Sequence, residues 1–428
     1  MAFNAATEWD VRTTGNAANG GGFQVGIAGG TDFSQQDAAE HAYTDLVIDG
    51  TTNTKITSGV RPFTDADKGN IINVTAGTGF TVQRIQIVSV AANVATCDKA
   101  VGTLSSTGGM GNLGGALASP VTAAALVVSG NWIHVKAGTY VLTASATLAA
   151  GVRMVGYQSA HLDFGTPPVI TTATDSTRLI LCNGAGAYFL ANMSLSNTAT
   201  VRAIGVDSLR GDIPGTFYHM TFDGFTSAIG RTGGGWVPYL RLDEVEVKNS
   251  TGVGVLNAAA LYVINSNIHD NASHGIQIAQ NSASPVYLTR SVFADNGGDG
   301  FYQINSDVSL QQYWVYNCTF ANNAGDGLQT GAGAGGLTAP LTVAIANNIF
   351  YGNGAYGLNN PVAPKIAVTN RANAYGANGT AAVLNMPAGV GDVTLTADPF
   401  TNAAGGDYSL NSTAGGGAAC KAAGYQVA

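Results

Sequence analysis

The stretch SVFADNGGDGF occupies residues 291–301, and the closely similar CTFANNAGDGL occupies residues 318–328, 27 positions further along the chain. A phrase that returns at a regular interval indicates a repeat architecture, so we take the large apolar residue of each copy as an anchor. Seven anchors follow one another at intervals of 21 to 30 residues: Leu195, Phe222, Val247, Ile268, Phe293, Phe320 and Phe350. This periodicity predicts a solenoid made of stacked coils.

Apolar and polar residues alternate on the N-terminal side of the anchors. Such alternation predicts strands with one buried face. The positions five and seven places before the anchor are therefore expected to point inward, at Tyr188, Leu190, Leu240, Leu242, Leu261, Val263, Val286, Leu288, Tyr313, Val315, Val343 and Ile345.

Two corners interrupt the alternation in each coil. The first lies three places before the anchor, and its Asn side chains are expected to stack as an amide ladder. The second follows the anchor and is rich in Asn and Gly, which tolerate the left-handed backbone of a tight corner. Two corners per repeat leave three short strands per coil, which is typical of a parallel β-helix. The first corner contains Asn192, His219, Glu244, Asn265, Arg290, Asn317 and Asn347.

The segment WIHVKAGTYVLTASATLAAGVRMVGY, residues 132–157, resembles the opening coils of pectate-lyase-like right-handed β-helices. Together with the Asn corners, the resemblance covers roughly residues 120–410. It implies an all-β, right-handed parallel β-helix with three short strands per coil. Secreted polysaccharide lyases, glycoside hydrolases and bacteriophage tailspike and other virion proteins share this fold, so it does not determine the function.

Four segments are predicted along the chain. Residues 1–30 are polar and rich in Gly and are expected to form an extended arm, whereas residues 31–118 contain short alternating strands typical of a small antiparallel barrel or sandwich. Residues 119–412 form the β-helix, and residues 413–428 remain as a tail. Within the second segment, Ser34 and Asp37 predict a capping box and a short helix, and the Gly-rich residues 102–120 predict a linker.

The composition limits the classes of partner. Only 10% of the residues are charged, and 18 basic against 26 acidic residues give a net charge of −8, which disfavours a nucleic acid partner. No apolar stretch is long enough to span a bilayer. The first residues lack the basic and apolar regions of a secretory signal, which favours synthesis in the host cytoplasm without a signal peptide. Four scattered cysteines predict free thiols: Cys97, Cys182, Cys318 and Cys420.

One polar column suggests chemistry. His274, Asp299 and Asp326 each precede a second-corner Gly, and coil stacking would place the two carboxylates about 5 Å apart, as in a retaining glycosidase. The alternative is that Asp before Gly is only favourable turn chemistry, because Tyr356 occupies the same position one coil further on. We expect the turn role and treat the three residues as weak catalytic candidates. His269 and His274 are spaced poorly for a metal pair, so we expect no metal and no cofactor.

Aromatic residues mark two further places. Tyr262, Tyr287 and Trp314 lie six places before consecutive anchors and should point outward, and Tyr316 shares that face. Such a stripe predicts an interaction surface, with self-association as a homotrimer favoured over glycan stacking. Trp236 and Tyr239 are predicted on a loop, where they could stack on sugars or pack over the solenoid flank.

The arm, small β domain and β-helix in succession resemble phage virion proteins, in which the N-terminal part docks to the particle. We therefore expect a bacteriophage virion structural protein, an oligomeric and non-enzymatic β-helix on the virion surface, such as a capsid decoration. Its expected partners are copies of itself and a major capsid or tail protein. One alternative is a tailspike that binds or cleaves a host surface glycan. The other is a polysaccharide lyase or glycoside hydrolase.

Overall fold

The structure of the protein, a computed structural model, describes residues 3–172, 178–183, 186–198, 204–208, 214–230, 239–257, 260–280, 285–305, 312–332, 341–360, 366–387 and 389–423. The chain divides into two compact units, Met1–Ile170 and Thr171–Ala428. Among the described residues, no helix has the length and apolar character that crossing a membrane requires.

The first unit begins with two short strands, β1 (Thr7–Val11) and β2 (Gly22–Gln24), which pair antiparallel. A closed antiparallel barrel follows, and its strands are arranged in the order β3-β4-β7-β6-β5-β8. This confirms the small antiparallel β domain that the strand pattern predicts. The barrel strands are β3 (His41–Ile48), β4 (Lys55–Thr57), β5 (Ile71–Ala76), β6 (Gln83–Ala91), β7 (Val94–Cys97) and β8 (Gly109–Leu113), with a 3-10 turn at Asp65–Asp67.

Two local predictions in this segment are wrong. The expected helix at Ser34 is absent, because both the backbone N–H and the hydroxyl of Ser34 donate to the carboxylate of Asp32, which closes a turn instead. The expected linker contains β8, which completes the barrel between β3 and β5. Gly109 begins this strand and lies against the Phe80 ring. A Cβ at this position would be only 2.4 Å from the ring, so the strand needs a Gly here.

The rest of the first unit starts the solenoid. A short helix, α1 (Pro120–Ala124), is capped by Ser119, whose hydroxyl accepts the N–H of Val121. Four strands follow: β9 (Trp132–Lys136), β10 (Thr139–Leu142), β11 (Ala146–Leu148) and β12 (Arg153–Tyr157). β9 and β12 pair in parallel, as stacked coils require.

The N-terminal segment is not the extended arm that we expected. β1 pairs in parallel with β9 and so adds one more rung to the first coils. Trp9 and Val11 alternate inward along β1 and are fully buried. The segment is ordered because TEWDV alternates inward and outward residues as β9 does, so the two strands can pair. The repeat pattern does not extend to TEWDV and therefore could not predict this pairing.

The second unit is a parallel β-solenoid. From Ala260 onward each coil contributes three short strands, as predicted, whereas in the three preceding coils the first two strands are joined into one ten-residue strand. Equivalent strands of successive coils pair in register. The strands, with β13 reaching across the division between the units, are β13 (Val169–Thr172), β14 (Arg178–Cys182), β15 (Tyr188–Asn197), β16 (Ile204–Ser208), β17 (Pro214–Asp223), β18 (Ser227–Gly230), β19 (Tyr239–Lys248), β20 (Val255–Asn257), β21 (Ala260–Ile264), β22 (Asn267–His269), β23 (Ile276–Gln280), β24 (Pro285–Thr289), β25 (Val292–Ala294), β26 (Phe301–Asn305), β27 (Gln312–Tyr316), β28 (Thr319–Ala321), β29 (Leu328–Ala332), β30 (Leu341–Ala346), β31 (Ile349–Tyr351), β32 (Tyr356–Asn359), β33 (Ile366–Arg371), β34 (Ala374–Gly376) and β35 (Ala381–Leu384).

The predicted inward positions are confirmed. All twelve apolar residues five and seven places before the anchors are buried, and Tyr188, the least covered of them, is only 3% exposed. The anchors Phe293, Phe320 and Phe350 stack inside the solenoid with centroids 4.8 and 5.0 Å apart. Stacking of like residues in register makes the core continuous from coil to coil.

The left-handed backbone of the first corner is confirmed, whereas its predicted amide ladder is limited to one pair, in which Asn347 Nδ2 donates to Asn317 Oδ1. All seven of its residues have φ between 48° and 61°. However, His219, Glu244 and Arg290 interrupt the Asn residues, and a ladder needs amides in successive coils. The second corner has them, and there each Nδ2 donates to the next Oδ1 at 2.9 Å. This ladder consists of Asn271, Asn296, Asn323, Asn353 and Asn378.

The C-terminal region closes the second unit. Three strands follow the last coil, β36 (Val393–Thr394), β37 (Phe400–Asn402) and β38 (Asp407–Leu410), with a 3-10 turn at Ala403–Gly405. The expected tail contains a helix, α2 (Gly417–Ala422), and Cys420 within it is fully buried against the cluster that contains Phe400 and Tyr408. All four cysteines are buried free thiols, as predicted.

Candidate functional site

The column of His274, Asp299 and Asp326 lies at the second corner, immediately before the third strand of each coil. The three residues occupy equivalent positions because each precedes a Gly that lies close to the backbone of the following coil. Gly300, for example, has the carbonyl oxygen of Gly327 only 2.7 Å from where a Cβ would stand. The corner therefore brings the three predicted residues together, one per coil.

Side chains of this column bind the backbone of the next coil. The N–H of Asp299 donates to His274 Nδ1 at 2.9 Å, and the N–H of Asp326 donates to Asp299 Oδ1 at 2.6 Å. The N–H of Tyr356 in turn donates to Asp326 Oδ1 at 2.8 Å. The column is a continuous side-chain-to-backbone ladder that joins successive coils.

The second oxygen of each carboxylate faces the outward side of the third strand. Asn359 Nδ2 donates to Asp326 Oδ2 at 2.6 Å. With the Gln329 amide oriented so that its nitrogen faces the two acids, that nitrogen lies 3.0 Å from Asp326 Oδ2 and 3.3 Å from Asp299 Oδ2. One amide therefore bridges the acid pair.

Burial gives Asp299 an unusual proton affinity. Loss of water around the carboxylate, together with the neighbouring Asp326, raises the pKa of Asp299 to about 7, although the N–H of Asp326 opposes the rise. Burial lowers the pKa of His274, whose ring stacks on Tyr302 with centroids 4.2 Å apart. Asp299 can thus carry a proton near neutral pH. However, Asp299 and Asp326 are only 6% and 4% exposed, so a polymer has little access to either.

The sequence pattern did not identify Gln329 and Asn359 as partners of the two acids. They belong to a column three places after the catalytic candidates, which contains Gln277, Tyr302, Gln329 and Asn359. The repeat alignment contains this column, and three of its four members carry side-chain amides. That regularity is the signal that could have identified the bridge.

The predicted aromatic stripe is a stacked ladder. Tyr262 and Tyr287 stack with centroids 4.8 Å apart, and Tyr287 and Trp314 with centroids 4.3 Å apart and ring planes 3° from parallel. Tyr239 adds a fourth ring at 5.2 Å from Tyr262. All four side chains are half-buried, so the stripe shows mainly ring edges because the faces cover one another. Tyr316, also half-buried, lies on the same strand as Trp314.

Of the two residues predicted to stack on glycans, Tyr239 and Trp236, the structure describes only Tyr239. Tyr239 does not lie on a loop, since it begins β19 and takes part in the aromatic ladder. Its ring face is therefore covered by Tyr262. Trp236 lies outside the described residues.

A separate group of described residues, in the first unit, has metal-binding chemistry. Ligand atoms of Glu8, His134 and His161 all lie within 4.8 Å of one another. The sequence offered no signal for this group, because more than 120 positions separate Glu8 from both histidines.

Several solved structures resemble this chain at low identity. Pectate lyase Pel9A is 17% identical, with a TM-score of 0.41 over 65% of this chain and 76% of that chain. The A-module of the mannuronan C-5 epimerase AlgE6 from Azotobacter vinelandii is 14% identical, with a TM-score of 0.27 over 62% and 91%. A GH87 alpha-1,3-glucanase catalytic domain in complex with nigerose is 10% identical, with a TM-score of 0.30 over 83% and 89%. The activities of these proteins are not carried over to this chain.

No curated protein matches the sequence at a significant level. The pattern of the family described as the right handed beta helix region matches residues 180–339 and 251–415. Together these matches span 180–415, which is more than half of the 428 residues. The coils, corners and ladders described above lie largely within that span. The chain belongs to the right-handed β-helix family.

Proposed function

We propose that this protein is a structural component of a particle surface, a self-associating β-helix displayed on a bacteriophage virion. The observation that carries the proposal is that the polar column at the second corner forms hydrogen bonds between successive coils. His274, Asp299 and Asp326 each accept a backbone N–H of the next coil, so the side chains best suited to catalysis hold the solenoid together. A rod reinforced along its length is suited to mechanical display.

The aromatic ladder supports self-association. The ring faces are occupied by neighbouring rings, which leaves little face for CH–π contact with a sugar. The exposed ring edges form a narrow apolar strip along the solenoid, and side-by-side threefold packing would remove that strip from water. The stripe also stabilises a single chain, because each stacked pair contributes about 0.5–1.5 kcal/mol within the chain.

The virion setting is supported by the domain order. A small antiparallel barrel precedes the β-helix, as in the phage proteins that the sequence resembles. In this proposal the barrel binds another virion protein, a major capsid or tail protein, and the β-helix faces outward. The net charge of −8 suits exposure to solvent rather than to packaged nucleic acid.

The self-association is tested by light scattering on the parent and on the double variant Tyr287→Ser/Trp314→Ser. We expect a trimeric parent and a monomeric variant that keeps the parent's circular dichroism. The matched control is Tyr302→Ser/Tyr356→Ser, which removes two half-buried aromatic rings from another face and should remain trimeric. A monomeric parent, or a stripe variant that stays trimeric, contradicts the proposal.

A second candidate function is glycan cleavage, and one observation favours it. Asp299, with a pKa of about 7 beside Asp326, has the proton affinity of a general acid. The test is to incubate the protein with host capsule or lipopolysaccharide and to measure chain length. Shortening that Asp299→Asn and Asp326→Asn both abolish would replace the structural proposal, whereas unchanged polymer supports it.

A further inference from the structure

A cluster of ionisable side chains lies where the N-terminal strand joins the first coils. Glu8 lies on β1, His134 on β9, and His161 on the loop that follows β12. Three segments that are distant in sequence therefore contribute one side chain each. The loop is held in shape by Asp163, whose carboxylate accepts the N–H groups of residues 158, 159 and 160.

The distances within the cluster suit a small divalent ion. Glu8 Oε2 lies 3.0 Å from His134 Nε2 and 3.6 Å from His161 Nδ1. Two ligands of a tetrahedral zinc ion with bonds of about 2.0–2.1 Å stand roughly 3.4 Å apart. Two imidazoles and one carboxylate are also a donor set that zinc takes in proteins.

A further carboxylate supports one of the histidines. His161 Nε2 lies 2.8 Å from Asp10 Oδ2, so the nitrogen that faces away from Glu8 has a fixed partner. Asp10 is fully buried and is itself held by the hydroxyl of Tyr157 at 2.7 Å and by Arg12 Nε at 2.9 Å. Histidine ligands of metals commonly have such a carboxylate on their other nitrogen, which orients the ring.

His134 is the most enclosed member of the cluster. The side chain is 2% exposed, and Nδ1 is buried without a hydrogen-bond partner among the described residues. Its ring stacks against His161 with centroids 3.7 Å apart and planes 7° from parallel. Two imidazoles packed face to face beside one carboxylate, with His134 buried and His161 14% exposed, lose solvation, and coordination to a shared cation would offset that loss.

We propose that Glu8, His134 and His161 bind a zinc-class divalent ion, with Asp10 orienting His161 and water completing the coordination. Binding requires the two stacked rings to turn, so that the lone pairs of His134 Nε2 and His161 Nδ1 converge on the ion. The ion cross-links β1, β9 and the loop after β12. It therefore fastens the N-terminal strand to the first coils, a role separate from the proposed surface function.

The test uses the untagged full chain, stripped with a chelator and titrated with Zn²⁺ in a calorimeter, with thermal unfolding as a second readout. We expect one ion per chain and a higher unfolding midpoint in its presence. His161→Gln and Glu8→Gln should each weaken binding by at least about 10-fold, since loss of a supporting partner alone costs 10–100-fold. Co²⁺ in place of Zn²⁺ should give the visible absorption of a four-coordinate site.

The matched control is His269→Gln. His269 also contacts two carboxylates, Asp270 at 2.7 Å and Glu246 at 3.3 Å, but its group lacks a second histidine. This variant should bind Zn²⁺ as the parent does. Absence of binding to the parent, or binding that His161→Gln and Glu8→Gln leave unchanged, would overturn the proposal and leave a cluster held by hydrogen bonds and ion pairs alone.

Discussion

At the scale of single residues, the second corner shows how one position can serve both stability and chemistry. Asp299 accepts the N–H of Asp326 through Oδ1, while its Oδ2 faces Gln329. The hydrogen bond stabilises the corner, whereas burial disfavours the charge. Asp299 therefore makes the corner sensitive to pH.

The first prediction concerns this sensitivity. The pKa of Asp299 rises from 3.8 to about 7 on folding, so the folded state holds a proton that the unfolded state releases in that interval. The contribution of this proton to stability is present below about pH 4 and is lost as the pH rises to about 7. Asp299→Asn should therefore gain stability relative to the parent between pH 4 and pH 7, by about 1–4 kcal/mol. Denaturant unfolding across this range measures it.

The control for this comparison is Asn402→Ala, which changes an exposed side chain that does not ionise. The difference in the free energy of unfolding between this variant and the parent should stay constant with pH. If the free energies of unfolding of Asp299→Asn and the parent run parallel across the same range, the buried carboxylate is not protonated and the account of the corner is wrong.

At the scale of elements, the sequence could predict those features of the coils that recur in every repeat. The inward residues and the first corner were identified because each recurs once per coil in register. The long amide ladder lies at the second corner. The first corner, where a ladder was expected, has only the Asn317–Asn347 pair, because its other Asn residues do not follow one another through neighbouring coils. The formation of β1 and α2 could not be predicted, because neither belongs to the repeat that reveals the coils.

The second prediction tests the amide ladder. Asn323 donates to Asn353 and accepts from Asn296, and all three side chains are about 1% exposed. Asn323→Ala should lower the free energy of unfolding by about 2–4 kcal/mol, because buried polar groups on both neighbours lose their partner. The exposed Asn402→Ala serves as the control and should change it by less than about 0.5 kcal/mol. Equal effects of the two substitutions would show that the ladder adds nothing.

At the scale of the whole molecule, stability propagates along stacked elements. The packing of β1 on β9 alters what a truncation should do. If residues 1–30 were the extended arm that the sequence predicts, a chain that starts near Phe33 would fold normally and only fail to join particles. In the structure, Trp9 and Val11 are fully buried, and β1 pairs with β9 over four residues.

The third prediction follows from this packing. Removal of residues 1–32 should lower the thermal unfolding midpoint and promote aggregation, because an apolar strand edge is uncovered on β9. Differential scanning calorimetry and light scattering measure the two effects. Removal of residues 424–428, which takes away none of the described strands, is the control. A truncated protein as stable as the parent would restore the role of a dispensable arm.

The central claim is that this β-helix is a structural protein that assembles through its aromatic ladder. Its most direct test is the native mass of the untagged full chain in solution, measured by sedimentation equilibrium over a range of concentrations. Self-association predicts a mass about three times the 43.3 kDa of one chain. A mass of 43.3 kDa at every concentration would contradict it.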